Sequence, residues 1–202
     1  MDRLNQQLQF VAEAGRLRGV LRQTTLADPA RRENSAEHSW HLTVLALVFG
    51  EYAPAGTDLA RVVAMLAVHD LVEVDAGDLS AYAPPPAQAR QLVAERAAAD
   101  RLFALLPADQ ADTVRELWDE FEERATAEAK FARALDRLQP MLENVKVGGG
   151  TWRQGGITAA DVLTKVELIE DGSPRLGRYA RELIDQAVRE GILAADPDRA
   201  GT

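Results

Sequence analysis

Cysteine is missing from the 202 residues. That excludes a disulfide framework and any thiolate metal site, so a metal here must rest on imidazole and carboxylate groups. Histidine is scarce: His38, His41 and His69 are the only three. Basic charge is in deficit, with 23 Lys and Arg against 32 Asp and Glu and a net charge of −9. A chain of that sign does not coat bulk nucleic acid, because neutralising a run of phosphates needs a basic face. One or two arginines still suffice for a small phosphorylated substrate. No apolar run reaches the roughly 20 residues that cross a bilayer. The first residues, Met1-Asp2-Arg3-Leu4-Asn5, carry no signal-peptide pattern. The expectation is a cytoplasmic protein with no membrane partner. Internal repeats, low-complexity tracts and strand-length β-branched alternation are absent as well.

What remains is helix. Hydrophobic content of 47% and charged content of 27% are ordinary for a globular chain. Ala, Leu, Glu and Arg recur with apolar spacings of three and four. The pattern predicts an all-α, single-domain helical bundle over residues 1–193 and a frayed tail, 194–202. The first helix is expected over 3–18, with Leu4, Leu8, Val11 and Leu17 on one stripe. A second opens on Asn34 and Glu37, which have capping-box spacing, and runs to about residue 52. A third runs from Asp58 to Glu73. Others are expected over 87–106, 109–124 and 126–147. Thr158 and Asp161 open a short helix, and Ser173-Pro174 opens the last, which Gly191 stops. Residues 19–35, Pro84-Pro85-Pro86 and Gly148-Gly149-Gly150-Thr151-Trp152 read as loops. Trp40 reads as core.

The stretch that organises the chain is Ala64-Met65-Leu66-Ala67-Val68-His69-Asp70-Leu71-Val72-Glu73. An apolar run that ends in three titratable groups is costly to bury unless they have a partner. On a helix, Glu73 lies four residues from His69 and three from Asp70, so all three lean to one side. One reading is a divalent ion between His69 and Asp70 with Glu73 over a bound water. The other is a buried His satisfied by hydrogen bonds beside a helix-end Asp. His38 and His41 on the preceding helix are three apart and offer a further imidazole. Asp136 lies between the apolar Leu135 and Leu138 and is a carboxylate that wants a cation. That cation is either the same ion or a neighbouring Arg133 or Arg137.

The ordered set Glu37-His38-Ser39, then His69-Asp70 with Glu73 and Gly77-Asp78, then Asp136-Arg137-Leu138-Gln139-Pro140 resembles the HD-domain superfamily of metal-dependent phosphohydrolases. Within it the chain looks like the 5′-deoxynucleotidase branch. Arg32-Glu33-Asn34, the triple glycine with Trp152, and Ile169-Glu170-Asp171-Gly172-Ser173-Pro174 fit the same branch. The resemblance spans roughly residues 10 to 193 and implies a fold of the HD-domain type. It makes His38, His69, Asp70 and Asp136 the metal ligands and Glu73 the catalytic acid/base. His41 then belongs in the core or just behind the ligands. Asp78 matches the residue that holds the sugar 3′-hydroxyl, and Arg22 the arginine near the phosphate. The deoxynucleotidases place Trp after that arginine; here Gln23 stands there, which puts exclusion of a 2′-hydroxyl in question.

The resemblance implies one divalent transition metal (Mn, Co, Fe or Zn, to suit two imidazoles and two carboxylates), a phosphorylated small-molecule substrate and a homodimer. A spread of Trp40, Phe49, Phe103, Phe121 and Phe131 over several helices adds to the expectation of self-association, since one core has to absorb all of them. The activity implied is hydrolysis of (deoxy)nucleoside 5′-monophosphates. Alternatives are hydrolysis of another phosphorylated metabolite or signalling nucleotide, or nucleotide binding without catalysis. Glu73 argues against the last, because a binding module has no need of a water-activating carboxylate.

Overall fold

A computed structural model describes residues 2–27 and 31–196. The longest helix, α7 (Ala127–Lys146), is the axis of the bundle. Phe131, Ala132, Ala134, Leu135 and Leu138 are all buried there, so both flanks of the helix face core. The helices α3 (Leu59–Val68), α9 (Ala159–Gly172) and α10 (Pro174–Arg189) pack around it, with α2 (Ser35–Phe49) and α6 (Ala108–Glu123). Gly172 lets α9 approach closely: a Cβ there would stand 2.1 Å from the carbonyl oxygen of Lys130. A second cluster around Leu17, Leu71, Leu102, Phe103 and Trp118 joins α5 (Pro85–Phe103) to α6 and to the turn after α3. The remaining helices are α1 (Arg3–Ala14), α4 (Glu73–Ala76) and α8 (Gly150–Gln154). No helix of the described residues is long and apolar enough to cross a membrane.

The local start signals hold. Asn34 and Glu37 form a reciprocal capping box, and so do Thr158 and Asp161. The Ser173 side chain caps α10 with Pro174 in its first turn. The all-α expectation stands with one addition. Residues 21–34, expected as loop, contain a two-stranded antiparallel hairpin, β1 (Leu21–Leu26) and β2 (Arg31–Asn34). Register runs Leu21 to Asn34 and Thr25 to Arg32, so β1 bulges between those two pairs. Bulges re-aim side chains, and Arg22 sits in this one.

Four other boundaries move. The first helix gives way to a 3₁₀ turn at Gly15–Gly19. Pro85 and Pro86 are not loop but the first turn of α5, where a missing N–H costs nothing. Gly150, Thr151 and Trp152 belong to the short α8, and only Gly148 and Gly149 turn the chain. The third helix stops at Val68, before His69 and Asp70. Beyond it the backbone bonds tighten to three-residue spacing, Leu71 N–H to the Val68 carbonyl and Glu73 N–H to the Asp70 carbonyl. At the other end, the Ala159 N–H bonds the Ala194 carbonyl at 2.9 Å, so the chain is held to that point. The rest of the tail expected to fray includes 197–202, outside the described residues.

Trp40 is not core: it is 66% exposed. The buried Phe103, Phe121 and Phe131, by contrast, are absorbed by one molecule's core. The apolar excess lies elsewhere, in Leu4, Leu8 and Val11 along α1 and in Leu47 and Val48 beside Trp40 on α2, all exposed.

Candidate metal and phosphate site

Three elements bring the ligand candidates together. The N-terminal turn of α2 supplies His38, the turn after α3 supplies His69 and Asp70, and the middle of α7 supplies Asp136. His38, His69 and Asp136 are buried, and one ligand atom from each lies within 4.8 Å of the others. His38 Nε2 is 3.2 Å from Asp136 Oδ1, and His69 Nε2 is 3.9 Å from the same oxygen. Asp70 Oδ1 stands 3.0 Å from His69 Nε2 and Asp70 Oδ2 stands 3.9 Å from His38 Nε2. His38, His69 and Asp136 thus share one centre, and Asp70 flanks it beside His69.

Each imidazole is oriented from behind. His69 Nδ1 donates to the Leu66 carbonyl at 2.9 Å, which assigns the proton to Nδ1 and leaves Nε2 a bare lone pair. That Nε2 is buried with no hydrogen-bond partner. The His69 ring packs 4.8 Å from Phe121, whose ring also carries the Arg133 guanidinium at 4.1 Å. His38 Nδ1 lies 3.2 Å from Gln139 Oε1, so it donates there and turns its Nε2 to the centre. Gln139 in turn donates to Glu33 Oε1 at 2.8 Å and contacts His41 Nδ1 at 3.3 Å. His41 thus stands behind the ligands.

A buried, unpartnered imidazole nitrogen facing a second imidazole and two carboxylates fits a divalent transition ion. Asp136 faces two ways. Its Oδ1 faces the histidines, while Oδ2 lies 3.2 Å from Arg133 Nη1 and 3.5 Å from Arg137 Nε. Burial alone would raise the Asp136 pKa, but Arg137, the His38 hydrogen bond and Arg133 hold it well below the usual carboxylate range. His69 is pushed below its ordinary value by burial, which keeps it neutral and ready to ligate.

Arg22 reaches in from the bulge of β1. Its Nη1 is 2.7 Å from Asp70 Oδ2, 3.7 Å from Asp78 Oδ1 and 3.9 Å from Glu73 Oε1. Burial disfavours its charge, but Asp70, Glu73 and Asp78 outweigh burial and raise its pKa. Arg32 steadies the bulge by donating to the carbonyls of Arg22 and Leu21. Gln23 is exposed and also lines the cavity. Its backbone amide, at 3.1 Å, donates to Asp78 Oδ2.

Glu73 opens α4 and is buried. The Ser35 hydroxyl donates to Glu73 Oε2 at 2.5 Å, leaving Oε1 toward Arg22. Burial, and next the charge of Asp70, push the Glu73 carboxyl up to about 9. These residues open on a cavity of about 710 Å³, within the range of roughly 300–1,000 Å³ common for small-molecule sites.

The HD domain family model matches residues 14–176. The chain belongs to the HD-domain family. A solved structure of a "predicted metal-dependent phosphohydrolase" from Magnetospirillum magnetotacticum MS-1 is 50% identical to this HD-domain chain, with a TM-score of 0.89. The match covers 95% of this chain and 98% of that one. The 5′-deoxynucleotidase HDDC2 of Xenopus laevis is 32% identical over 137 residues, 67% of this chain and 66% of the relative. The Bos taurus protein of the same name is 31% identical over 137 residues, 67% of this chain and 65% of the relative. This HD domain thus spans about two thirds of the length of those curated relatives.

Sequence reasoning missed Glu33, Ser35, Gln139 and Glu95 as parts of the site. Gln139→Leu is expected to weaken metal binding by roughly 10–100-fold, the usual cost of losing a group that orients a ligand. A calorimetric Mn²⁺ titration unchanged from wild type would show that His38 needs no such support. Glu95, on α5 at the cavity wall, has its pKa raised to about 7 by burial. The Gln91 hydrogen bond opposes that rise, and Glu122 and Asp70 add to it. A raised pKa gives stability that is full below the ordinary value of 4.5 and fades as pH climbs through about 7. Glu95→Gln should therefore flatten the fall of Tm over that window and melt above wild type at pH 8. Parallel Tm–pH curves for the two proteins would contradict the assignment.

Proposed function

We propose that this HD-domain chain is a metal-dependent phosphomonoesterase that hydrolyses (deoxy)nucleoside 5′-monophosphates to nucleoside and phosphate. The observation that carries the reading is the unpartnered His69 Nε2 facing His38, Asp70 and Asp136, with Glu73 and Arg22 alongside. His38, His69, Asp70 and Asp136 would hold one divalent ion, Mn, Co, Fe or Zn. Such an ion supplies Lewis acidity, polarising a phosphoryl oxygen and acidifying water. The deoxynucleotidase names of the 31–32% identical relatives support the nucleotide substrate.

The chain's own residues do the rest. Arg22 offsets phosphate charge, and its planar fork suits two oxygens at once. In hydrolysis the water oxygen bonds phosphorus while the bond from phosphorus to the ester oxygen breaks. A cation held beside Asp70 would offset the charge that raises Glu73 and favour its carboxylate form, which takes the water's proton at Oε1; the departing oxygen takes a proton back from the same carboxyl. Ser35 holds Oε2 throughout. Asp78 receives the sugar 3′-hydroxyl. Position 23 acts on the sugar through its amide, which fixes Asp78. A rate panel of ribo- and deoxyribonucleoside monophosphates with Mn²⁺ or Co²⁺ tests the reading. Phosphate release from nucleotides supports it, and none from any member with either metal contradicts it.

A homodimer is part of the proposal. Leu4, Leu8 and Val11 on α1, and Trp40, Leu47 and Val48 on α2, form exposed apolar stripes, and closed two-fold dimers are the commonest assembly. Light scattering should give twice the 22.0 kDa chain mass. The monomer mass at micromolar concentration would contradict it.

A further inference from the structure

The reaction proposed above leaves three cations of the cavity without a task. Arg124 is the C-cap of α6, Arg137 lies on α7 and Lys165 on α9, and all three line the cavity. None of the three side chains donates a hydrogen bond to a protein acceptor among the described residues. Arg137 Nε is buried and unpartnered. Its nearest carboxylate oxygen, Asp136 Oδ2 at 3.5 Å, already accepts from Arg133 at 3.2 Å. Arg124 has Glu122 at 3.9 Å, but Glu122 is bonded to Arg133 at 2.7 Å. Lys165 rests 5.8 Å over the Tyr82 ring and makes no ion pair among the described residues.

Arg124 also has φ 57°, the one non-glycine residue of the described chain with positive φ. Burial disfavours the charge of Arg124 and Lys165; Arg137 repels both, and Arg124 repels Lys165. In a chain of net charge −9, three converging cations whose nearby carboxylates are already committed are costly unless an anion joins them. The scissile phosphate is served elsewhere, by the metal ligands and Arg22. Lys165 comes from α9, whereas the ligand candidates come from α2, the turn after α3 and α7.

We propose that Arg124, Arg137 and Lys165 form a subsite for a second anionic group of the substrate, a phosphate or carboxylate carried on the part that departs as the alcohol. This deepens the phosphomonoesterase reading and rests on it. Within that reading, esters whose departing part carries a second negative charge are preferred over those whose departing part is neutral.

The test uses α,ω-alkanediol monophosphates and bisphosphates of graded chain length with the Mn²⁺-loaded protein. At one length the bisphosphate should exceed the monophosphate in kcat/KM by about 10-fold or more, the scale of one charge-assisted hydrogen bond. Lys165→Gln and Arg124→Gln should erase most of that ratio through KM and leave monophosphate turnover unchanged. No preference at any length, or equal losses on both esters, would overturn the subsite. Lys165 makes no hydrogen bond, so its variant is expected to fold, which a circular dichroism melt checks. If no alkanediol ester is hydrolysed, the nucleotide panel still decides the phosphomonoesterase reading, and calorimetric titration with 1,4-butanediol bisphosphate decides the subsite. Binding weakened by Lys165→Gln supports it; binding that is absent or unaffected overturns it.

Discussion

His69→Ala is expected to lose bound metal and hydrolytic activity together. His69 is the ligand whose removal disturbs least else, because its one protein hydrogen bond is to the Leu66 carbonyl. Its Nε2 makes no hydrogen bond and faces Asp70 Oδ1 at 3.0 Å, so the substitution removes a lone pair aimed at the centre and no hydrogen bond of that nitrogen. Asp136→Ala would be harder to read, since Arg133 and Arg137 lean on the same carboxylate. Stripping an imidazole from a set of four should cost more than the roughly 10–100-fold in affinity typical of a group behind the ligands. Metal analysis of the purified variant and its rate on dAMP are the two readings. Stoichiometric metal in a folded His69→Ala protein would remove His69 from the ligand set. The cavity opposite Phe121 costs some stability too, which a thermal melt separates from the loss of metal.

Glu73→Gln separates metal binding from proton transfer. Gln preserves the side chain's volume and can still accept from Ser35, but it neither takes nor releases a proton at the Oε1 position. Metal content should therefore stay near wild type while kcat falls by about 10²–10⁴-fold, the usual contribution of a positioned acid or base. Loss of the metal along with the rate would make Glu73 a ligand. A wild-type rate would show that water needs no carboxylate here.

Much of this site was legible in the sequence because its donors are scarce. With no cysteine and three histidines, few sets of residues can hold a transition ion, and the spacing from His69 to Glu73 points at one of them. The caps at Asn34, Thr158 and Ser173 were legible for a similar reason, since a cap bonds only three residues ahead. The hairpin was not. Its second strand, Arg-Arg-Glu-Asn, is polar throughout, so no alternation announces it. The pairing partner that makes it a strand cannot be read locally. Gln139 and Glu33 stand 106 residues apart and meet only when α7 packs beneath the hairpin. Arg137 was legible as a partner for Asp136, but not as a cation with its Nε left over. The stripe of Leu4, Leu8 and Val11 was visible as a stripe. Whether another element covers it is a tertiary fact, and among the described residues none does.

The most direct measurement is the initial rate of phosphate release from dAMP by chelator-stripped protein as Mn²⁺ is added back. The expected result is no turnover in the stripped protein and a rise that saturates at one ion per chain. Full turnover without added metal, or saturation of metal binding with no phosphate released, would contradict a hydrolytic site built on His38, His69, Asp70 and Asp136.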